Sequence, residues 1–143
     1  MFRICNNLKK LGLEPTNILD IGAHHGAWTK EIIQVFPKSK FTLIEPIDYS
    51  ELREINNPNI KVLNEVINVK DGYIDWYEMK NTGDSIKKEK TYHFNDCKPI
   101  QKYGKKLDTL FPNGDVFELI KIDVQGAEIE VLLSGKELIK NTS

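Results

Sequence analysis

NILDIGAHHGAWTKEII, residues 17–33, contains the change of period that decides the fold. Ile18-Leu19 is a short apolar run of the kind that forms a buried strand, and it ends at Asp20. Gly22 and Gly26 follow. Trp28, Ile32, Val35 and Phe36 then recur at helical spacing until Pro37 stops the pattern. A strand that passes into a helix through two glycines is a βα unit. Such units, repeated, build a parallel sheet with right-handed crossovers and helices on its faces.

Outward from this stretch the alternation continues. KFTLIEP predicts a second strand over 40–45. Asp48 is placed to cap the next helix, with Glu51 completing a capping box and Tyr49, Leu52 and Ile55 as the apolar face. Asn57-Pro58-Asn59 closes that helix, and NIKVLNEVI predicts a third strand over 60–67. After a turn at Asp71-Gly72, Tyr73, Asp75 and Tyr77 alternate with Ile74 and Trp76, an additional strand. Lys80 to Lys98 is polar and aperiodic, a long loop of a length usually functional or disordered. KKLDTLF reads equally as a strand end or a short helix. ELIKIDV is a buried strand over 118–124, followed by a helix from about Gly126 with Ile129, Leu132 and Leu133 expected inward. Ahead of everything, Phe2, Cys5, Leu8 and Leu11 predict a helix over 2–11, stopped by Gly12 and Pro15.

The expected architecture is one α/β domain over 1–143, a Rossmann-like parallel sheet flanked by helices. It comprises the N-terminal helix, a core at 17–67, an extra strand and loop at 73–99, and a strand and helix at 118–140. The sequence stops at KELIKNTS, where an alternating fold calls for another strand. A truncated domain lacking its last strands is therefore expected, with strand 118–124 left as a sheet edge.

Composition narrows the function. Hydrophobic residues are 40% and charged residues 29%, ordinary for a globular domain, and the net charge of −1 gives no electrostatic case for nucleic acid or a membrane surface. The lysines at 87, 88 and 90 and at 102, 105 and 106 are interleaved with acids and read as solvated faces. Cys5 and Cys97 lack metal or redox spacing, so a structural thiol in a reducing cytoplasm is expected. The first residues lack the apolar run of a signal peptide, and no stretch is long enough to span a bilayer. Cytoplasmic location follows as an expectation. Adjacent His24 and His25 diverge and do not make a two-histidine metal site.

Three predicted strand ends carry acids: Asp20, Glu45 and Asp123. In open α/β sheets ligands bind beyond those ends. The turn after the first strand is D-x-G-x-x-x-G, with His24 where a dinucleotide fingerprint has its second glycine. Ala27-Trp28 replaces the Lys-Ser or Lys-Thr of a phosphate loop. An acid ahead of the glycines repels phosphate and suits a positive centre. Glu45, 23 residues after Gly22, is near the spacing of about 20 at which an acid meets ribose hydroxyls. A nucleoside without phosphates that carries a cation and an amino acid fits all three facts, and S-adenosylmethionine is such a molecule.

These residues resemble a known family. LDIGAHHGAWT is similar to the first motif of class I S-adenosylmethionine-dependent methyltransferases. KKLDTLF followed by IKIDVQGAEIEVL resembles the FkbM family of that class, through Leu107-Asp108, Lys121, Ile122, Asp123, Val124, Gly126 and Glu128. The resemblance runs from about Asn17 to Lys136. Gln125 stands where the family usually has Glu, and His24 where it often has Asn. The resemblance implies S-adenosylmethionine as cofactor and methylation of a hydroxyl oxygen on a sugar, glycan or small natural product. The expected cofactor contacts are Asp20, Gly22, Ala23, His24, Gly26, Glu45 and Val66. Asp123 is the candidate general base, Ser85 and Glu128 are candidate acceptor contacts, and the loop over 81–94 is a candidate lid.

Plainer readings stand beside these. Gly22 and Gly26 serve a tight turn in any case, Glu45 is a surface acid before Pro46, and Asp123 is a helix cap. Trp28 reads as core and His25 as solvent-facing, and of Trp76 and Tyr77 one packs while the other reaches the substrate side. An inactive nucleoside-binding fragment, or a nicotinamide-dependent oxidoreductase, are the competing functions.

Overall fold

The computed structural model describes residues 2–77 and 98–142. Four parallel strands form the main sheet: β1 (Asn17–Ile21), β2 (Lys40–Ile44), β3 (Ile60–Leu63) and, from far along the chain, β7 (Leu119–Ile122). Their order is β3-β2-β1-β7, in register through Ile18↔Phe41, Phe41↔Ile60 and Asp20↔Lys121. β1 is central, so Ile18, Leu19 and Ile21 are all buried. Burial on both faces is why parallel strands read as near-continuous apolar runs. Ile18, Phe41 and Leu43 pack on one side with Ile32, Val35 and Phe36 of α2 (Ala27–Val35) and its C-terminal neighbour, together with Cys5 of α1 (Phe2–Lys10). Leu19, Ile21 and Ile44 pack on the other side with Leu107, Phe117, Val131 and Leu138. Each fully buried Leu or Ile contributes about 1.5–3 kcal/mol.

α1 ends as its sequence predicts. Gly12 at φ +98° donates to the Lys9 carbonyl and Leu13 to the Leu8 carbonyl, both at 3.0 Å, a Schellman closure. Its apolar face is narrower than expected: Cys5 is buried and Leu8 half-buried, while Phe2 and Leu11 are exposed. Burial pushes the Cys5 thiol pKa up, in keeping with an inert structural cysteine. Asp48 does not cap the next helix. α3 (Ser50–Arg53) begins after Tyr49, so Asp48 lies one residue too early and pairs with Arg53 instead.

The expected third strand over 60–67 breaks at Asn64-Glu65. β2 ends at Ile44, opposite Leu63, and beyond that point β3 has no partner. The Asn64 amide turns in to the Glu45 carbonyl at 3.1 Å. The chain then joins a second sheet, ordered β4-β6-β5, built from β4 (Val66–Ile67), β5 (Gly72–Trp76) and β6 (Ile100–Lys105). β5 and β6 are antiparallel with Tyr73 opposite Tyr103. KKLDTLF divides between the two readings: Lys105 ends β6, and α4 (Leu107–Leu110) follows. Asp71 fixes that boundary, accepting from the Lys106 N–H at 2.7 Å and the Thr109 hydroxyl at 2.9 Å. These bonds hold its carboxyl below the usual range.

The last helix is two, α5 (Glu128–Ser134) and α6 (Lys136–Lys140), and its phase corrects the sequence reading. Ile129, Leu132 and Leu133 are exposed, and Ala127, Val131, Ser134 and Leu138 are buried. Ser134 accepts the Leu107 N–H at 3.3 Å and donates to the Val131 carbonyl at 2.7 Å, which fixes the inward face. Asp108 accepts from the Leu138 N–H at 3.0 Å and the Glu137 N–H at 3.4 Å, so the Leu107-Asp108 pair serves one core contact and one helix cap. β7 has β1 as its only partner among the described residues and lies at the sheet edge.

Candidate functional site

The chain runs outward from β1 to β3 and returns to the far side of β1 at β7, so the strand order reverses beside β1. The crevice at such a reversal is where open α/β sheets bind ligands. A cavity of about 290 Å³ opens there. Ile21, Ile44, Ile67 and Val131 give it an apolar floor, and Gly22, His24, Glu45, Val66, Trp76 and Asp123 line it from five elements and turns.

Glu45 is the best-fixed acid in the lining. It is buried, with Oε2 accepting the His24 N–H at 2.9 Å and Oε1 the Ile47 N–H at 3.0 Å. Two charge-assisted bonds to backbone set the carboxylate plane. The glycine turn is held from the same side: the N–H groups of Gly22 and Ala23 both donate to the Ile44 carbonyl, at 2.9 and 3.2 Å.

Gly22 has φ +76°, and a Cβ there would sit 1.9 Å from the Asp123 carbonyl oxygen. The glycine lets the turn after β1 rest directly on the backbone after β7, and its open side faces the cavity. Gly26, at φ +75°, lies outside the lining, where a Cβ would stand 2.8 Å from Leu52 Cδ2. Ala23 is buried in the first core cluster.

Asp20 does not reach the cavity either. It is fully buried: Oδ2 accepts from Thr29 Oγ1 at 2.6 Å and Oδ1 from Lys121 Nζ at 2.9 Å. Burial raises its pKa, opposed by the Lys121 charge and the two hydrogen bonds. Its negative charge is therefore answered inside the protein, behind the turn rather than in the cavity lining. Of the seven expected cofactor contacts, Gly22, His24, Glu45 and Val66 line the cavity, and Asp20, Ala23 and Gly26 build the turn behind it.

Asp123 follows β7 with its carboxylate half exposed and 3.8 Å from Lys121 Nζ. It is not the cap of the next helix. Glu128 closes that turn, accepting from Gly126 N–H at 3.1 Å and Val124 N–H at 3.4 Å, which places Glu128 outside the lining. Ser85 and the 81–94 segment lie outside the described residues.

His24 and Gln125, the two departures from the family pattern, both line the cavity, and both have left-handed backbone, φ +50° and +53°. Such strain costs about 1–3 kcal/mol and gathers at functional sites. The His24 ring meets His25 at 4.0 Å and Tyr49 at 5.0 Å between centroids. Burial, then the His25 charge, lower its pKa, against Asp123 and Glu51, which raise it. His25 keeps 43% of its side chain exposed, with Nδ1 3.1 Å from Glu51. Trp28 packs on the first core cluster as read.

Sequence reasoning missed Glu65, which lines the cavity and pairs with Lys105 at 2.6 Å, and it left open that Trp76 forms a wall. The alternation in β5 put Trp76 on the face opposite Tyr73, but nothing local said which face met the cavity. Among the described residues no lysine or arginine lines the cavity, while Glu45, Glu65 and Asp123 do.

Fold and site together define a Rossmann-like α/β domain with an acid-lined cavity at its switch point. The chain belongs to the FkbM methyltransferase domain family, whose model matches residues 20–142. It is 28% identical over 145 aligned residues to the 2-O-methyltransferase NoeI of Sinorhizobium fredii (strain NBRC 101917 / NGR234), a match covering 87% of this chain and 59% of that protein. The chain thus spans about three-fifths of that relative's length. No solved structure matches it. No helix among the described residues is long and apolar enough to cross a membrane.

Proposed function

We propose that this domain binds S-adenosylmethionine and takes part in methyl transfer to a hydroxyl oxygen of a small molecule or glycan. The carrying observation is the lining: an apolar floor with three carboxylates and, among the described residues, no lysine or arginine. Such a cavity disfavours a pyrophosphate and suits a nucleoside with a positive centre. This weighs against the nicotinamide reading. The donor set fits the cofactor residue by residue. Glu45 is oriented to accept from vicinal ribose hydroxyls, Val66 and Ile67 offer apolar contact to a base, and the Gly22 turn lets backbone approach an amino-acid tail.

When bound, the cofactor supplies an electrophilic sulfonium methyl. The chain's task is to hold an acceptor oxygen in line with it, and positioning of that kind is worth effective molarities of about 10⁵–10⁸ M. Asp123, half exposed at the end of β7, is the group we assign to take the hydroxyl proton. NoeI is named a 2-O-methyltransferase, which supports oxygen as the acceptor atom. Cytoplasmic location remains part of this proposal.

Calorimetry with S-adenosylhomocysteine, beside NADH, tests the binding. Saturable binding of the first and none of the second supports the reading, and the reverse overturns it. Labelled S-adenosylmethionine offered with a panel of saccharides and small alcohols, with wild type and Asp123→Asn, tests turnover. Loss of about 10²–10⁴-fold in rate at unchanged S-adenosylhomocysteine affinity is the expected result for a general base.

A further inference from the structure

We propose that Lys121 is the positioning residue of the glycine turn, holding the Gly22 carbonyl and the strand end that carries Asp123 in one fixed relation. The proposal rests on the cofactor reading above and names how this chain keeps that site in shape.

The geometry is specific. Lys121 lies directly across from Asp20 in the β1–β7 register, and its side chain is 8% exposed. From there Nζ donates to Asp20 Oδ1 at 2.9 Å and to the Gly22 carbonyl at 2.9 Å. Its remaining side faces Asp123 Oδ2 at 3.8 Å and the Trp28 ring, with the centroid at 5.7 Å. One ammonium therefore touches β1, the turn and the residue after β7. A buried ion pair is seldom more stable than well-packed apolar residues of the same volume, so stability alone is a poor reason for a lysine here.

The turn supplies a better reason. Its N–H groups at Gly22 and Ala23 are pinned by the Ile44 carbonyl of β2, which fixes one side of the peptide planes. Lys121 fixes the other side through the Gly22 carbonyl, from β7. A glycine at φ +76° has wide conformational freedom, and a Cβ there would run into the Asp123 backbone. Without the ammonium, the plane of the Gly22 carbonyl is not held from the β7 side, where the remaining tie is the Asp123 N–H to the Ile21 carbonyl at 3.0 Å. Asp20 fits as the counter-ion that keeps the ammonium in place, itself steadied by Thr29.

The test separates positioning from stability. Lys121→Met alone leaves Asp20 buried without its cation, so the informative variant is Asp20→Asn/Lys121→Met, which removes both charges. It is expected to melt within a few degrees of wild type, to bind S-adenosylhomocysteine at least tenfold more weakly, and to exchange the amide hydrogens of Gly22, Ala23 and His24 at least tenfold faster than wild type, with Leu43 unchanged. Asp108→Ala, which removes the α6 cap away from the turn, is the control, losing stability but keeping the affinity. Wild-type affinity and wild-type turn exchange in a folded double variant overturn the proposal. If the double variant does not fold, the wild-type chain answers instead. Hydrogen exchange of the Lys121 ammonium, followed by nitrogen-15 NMR, slows at least tenfold on adding S-adenosylhomocysteine if the ammonium braces the turn against ligand. No change overturns the proposal. Failure of wild type to bind S-adenosylhomocysteine would sink the cofactor reading, while the turn exchange rates, measured without ligand, still report on Lys121.

Discussion

Glu45→Gln tests the cofactor reading at its most ordered residue. The substitution keeps shape and volume but exchanges one carboxylate oxygen for an NH₂ group. In the native site both oxygens accept backbone N–H groups, from His24 at 2.9 Å and Ile47 at 3.0 Å. Whichever way the amide turns, one of those donors meets another donor. Leaving one buried donor unsatisfied costs about 1–3 kcal/mol of folding stability. If the same carboxylate also accepts from two ribose hydroxyls, the variant loses one charge-assisted bond of about 1.5–3 kcal/mol to the ligand and weakens the other. At 1.4 kcal/mol per decade that is a loss of affinity of at least about tenfold and up to about 150-fold. Urea titration measures the first term and calorimetry with S-adenosylhomocysteine the second. A 2′,3′-dideoxy analogue should bind wild type and variant about equally. A variant that loses stability yet keeps the full preference for the intact ribose would refute the reasoning, leaving Glu45 as a brace for the turn.

Gly22→Ala should destabilise the chain by about 2–5 kcal/mol, summing left-handed strain of about 1–2 kcal/mol with overlap against the Asp123 carbonyl of about 1–3 kcal/mol. Gly114→Ala, at φ +72° with nothing within 4 Å, should show only the strain, and equal losses at both positions in urea melts would count against the packing account. Asp108→Ala should lower stability by about 0.5–2 kcal/mol through the lost α6 cap, with S-adenosylhomocysteine affinity unchanged. His24 has its pKa held below the ordinary 6.5 in the folded state, so the unfolded chain takes up the proton first as pH falls. Stability from this group is therefore complete above about pH 6.5 and is lost as pH drops from there toward the folded value. His24→Asn, which tolerates the left-handed backbone, should flatten that slope in urea midpoints measured from pH 7.5 to 5.

The parallel core was legible because strands buried on both faces leave short apolar runs ended by acids, as at Ile18-Leu19-Asp20 and Leu43-Ile44-Glu45. The phase of α5 was not. Apolar residues occur on both of its faces, and Ile129-Leu132-Leu133 competes with Ala127-Val131-Leu138 until Ser134 meets Leu107. The break after Leu63 was hidden because Val66-Ile67 continues the apolar run, and its new partner β6 lies near residue 104. In the site, Glu45 was legible from its spacing to the glycines. Asp20 looked like a ligand contact because no local pattern shows a lysine 101 residues away filling its second hydrogen-bonding direction.

That same separation governs how the domain comes into being. Pairing of Ile18 with Leu119 closes a loop of about 100 residues, which carries an entropic charge of about 4 kcal/mol before any contact across it forms. High sequence separation slows folding, so the β1–β7 seam is expected to close late. During synthesis at about 5–20 residues per second, β2 leaves the ribosome some 4–16 seconds ahead of β7. For that interval β1 presents a bare hydrogen-bonding rim of apolar residues, the kind of surface on which nascent chains aggregate. Asp20 lies on that strand without its cation, and an unpaired carboxylate there is expected to act as a gatekeeper against strand addition until Lys121 arrives.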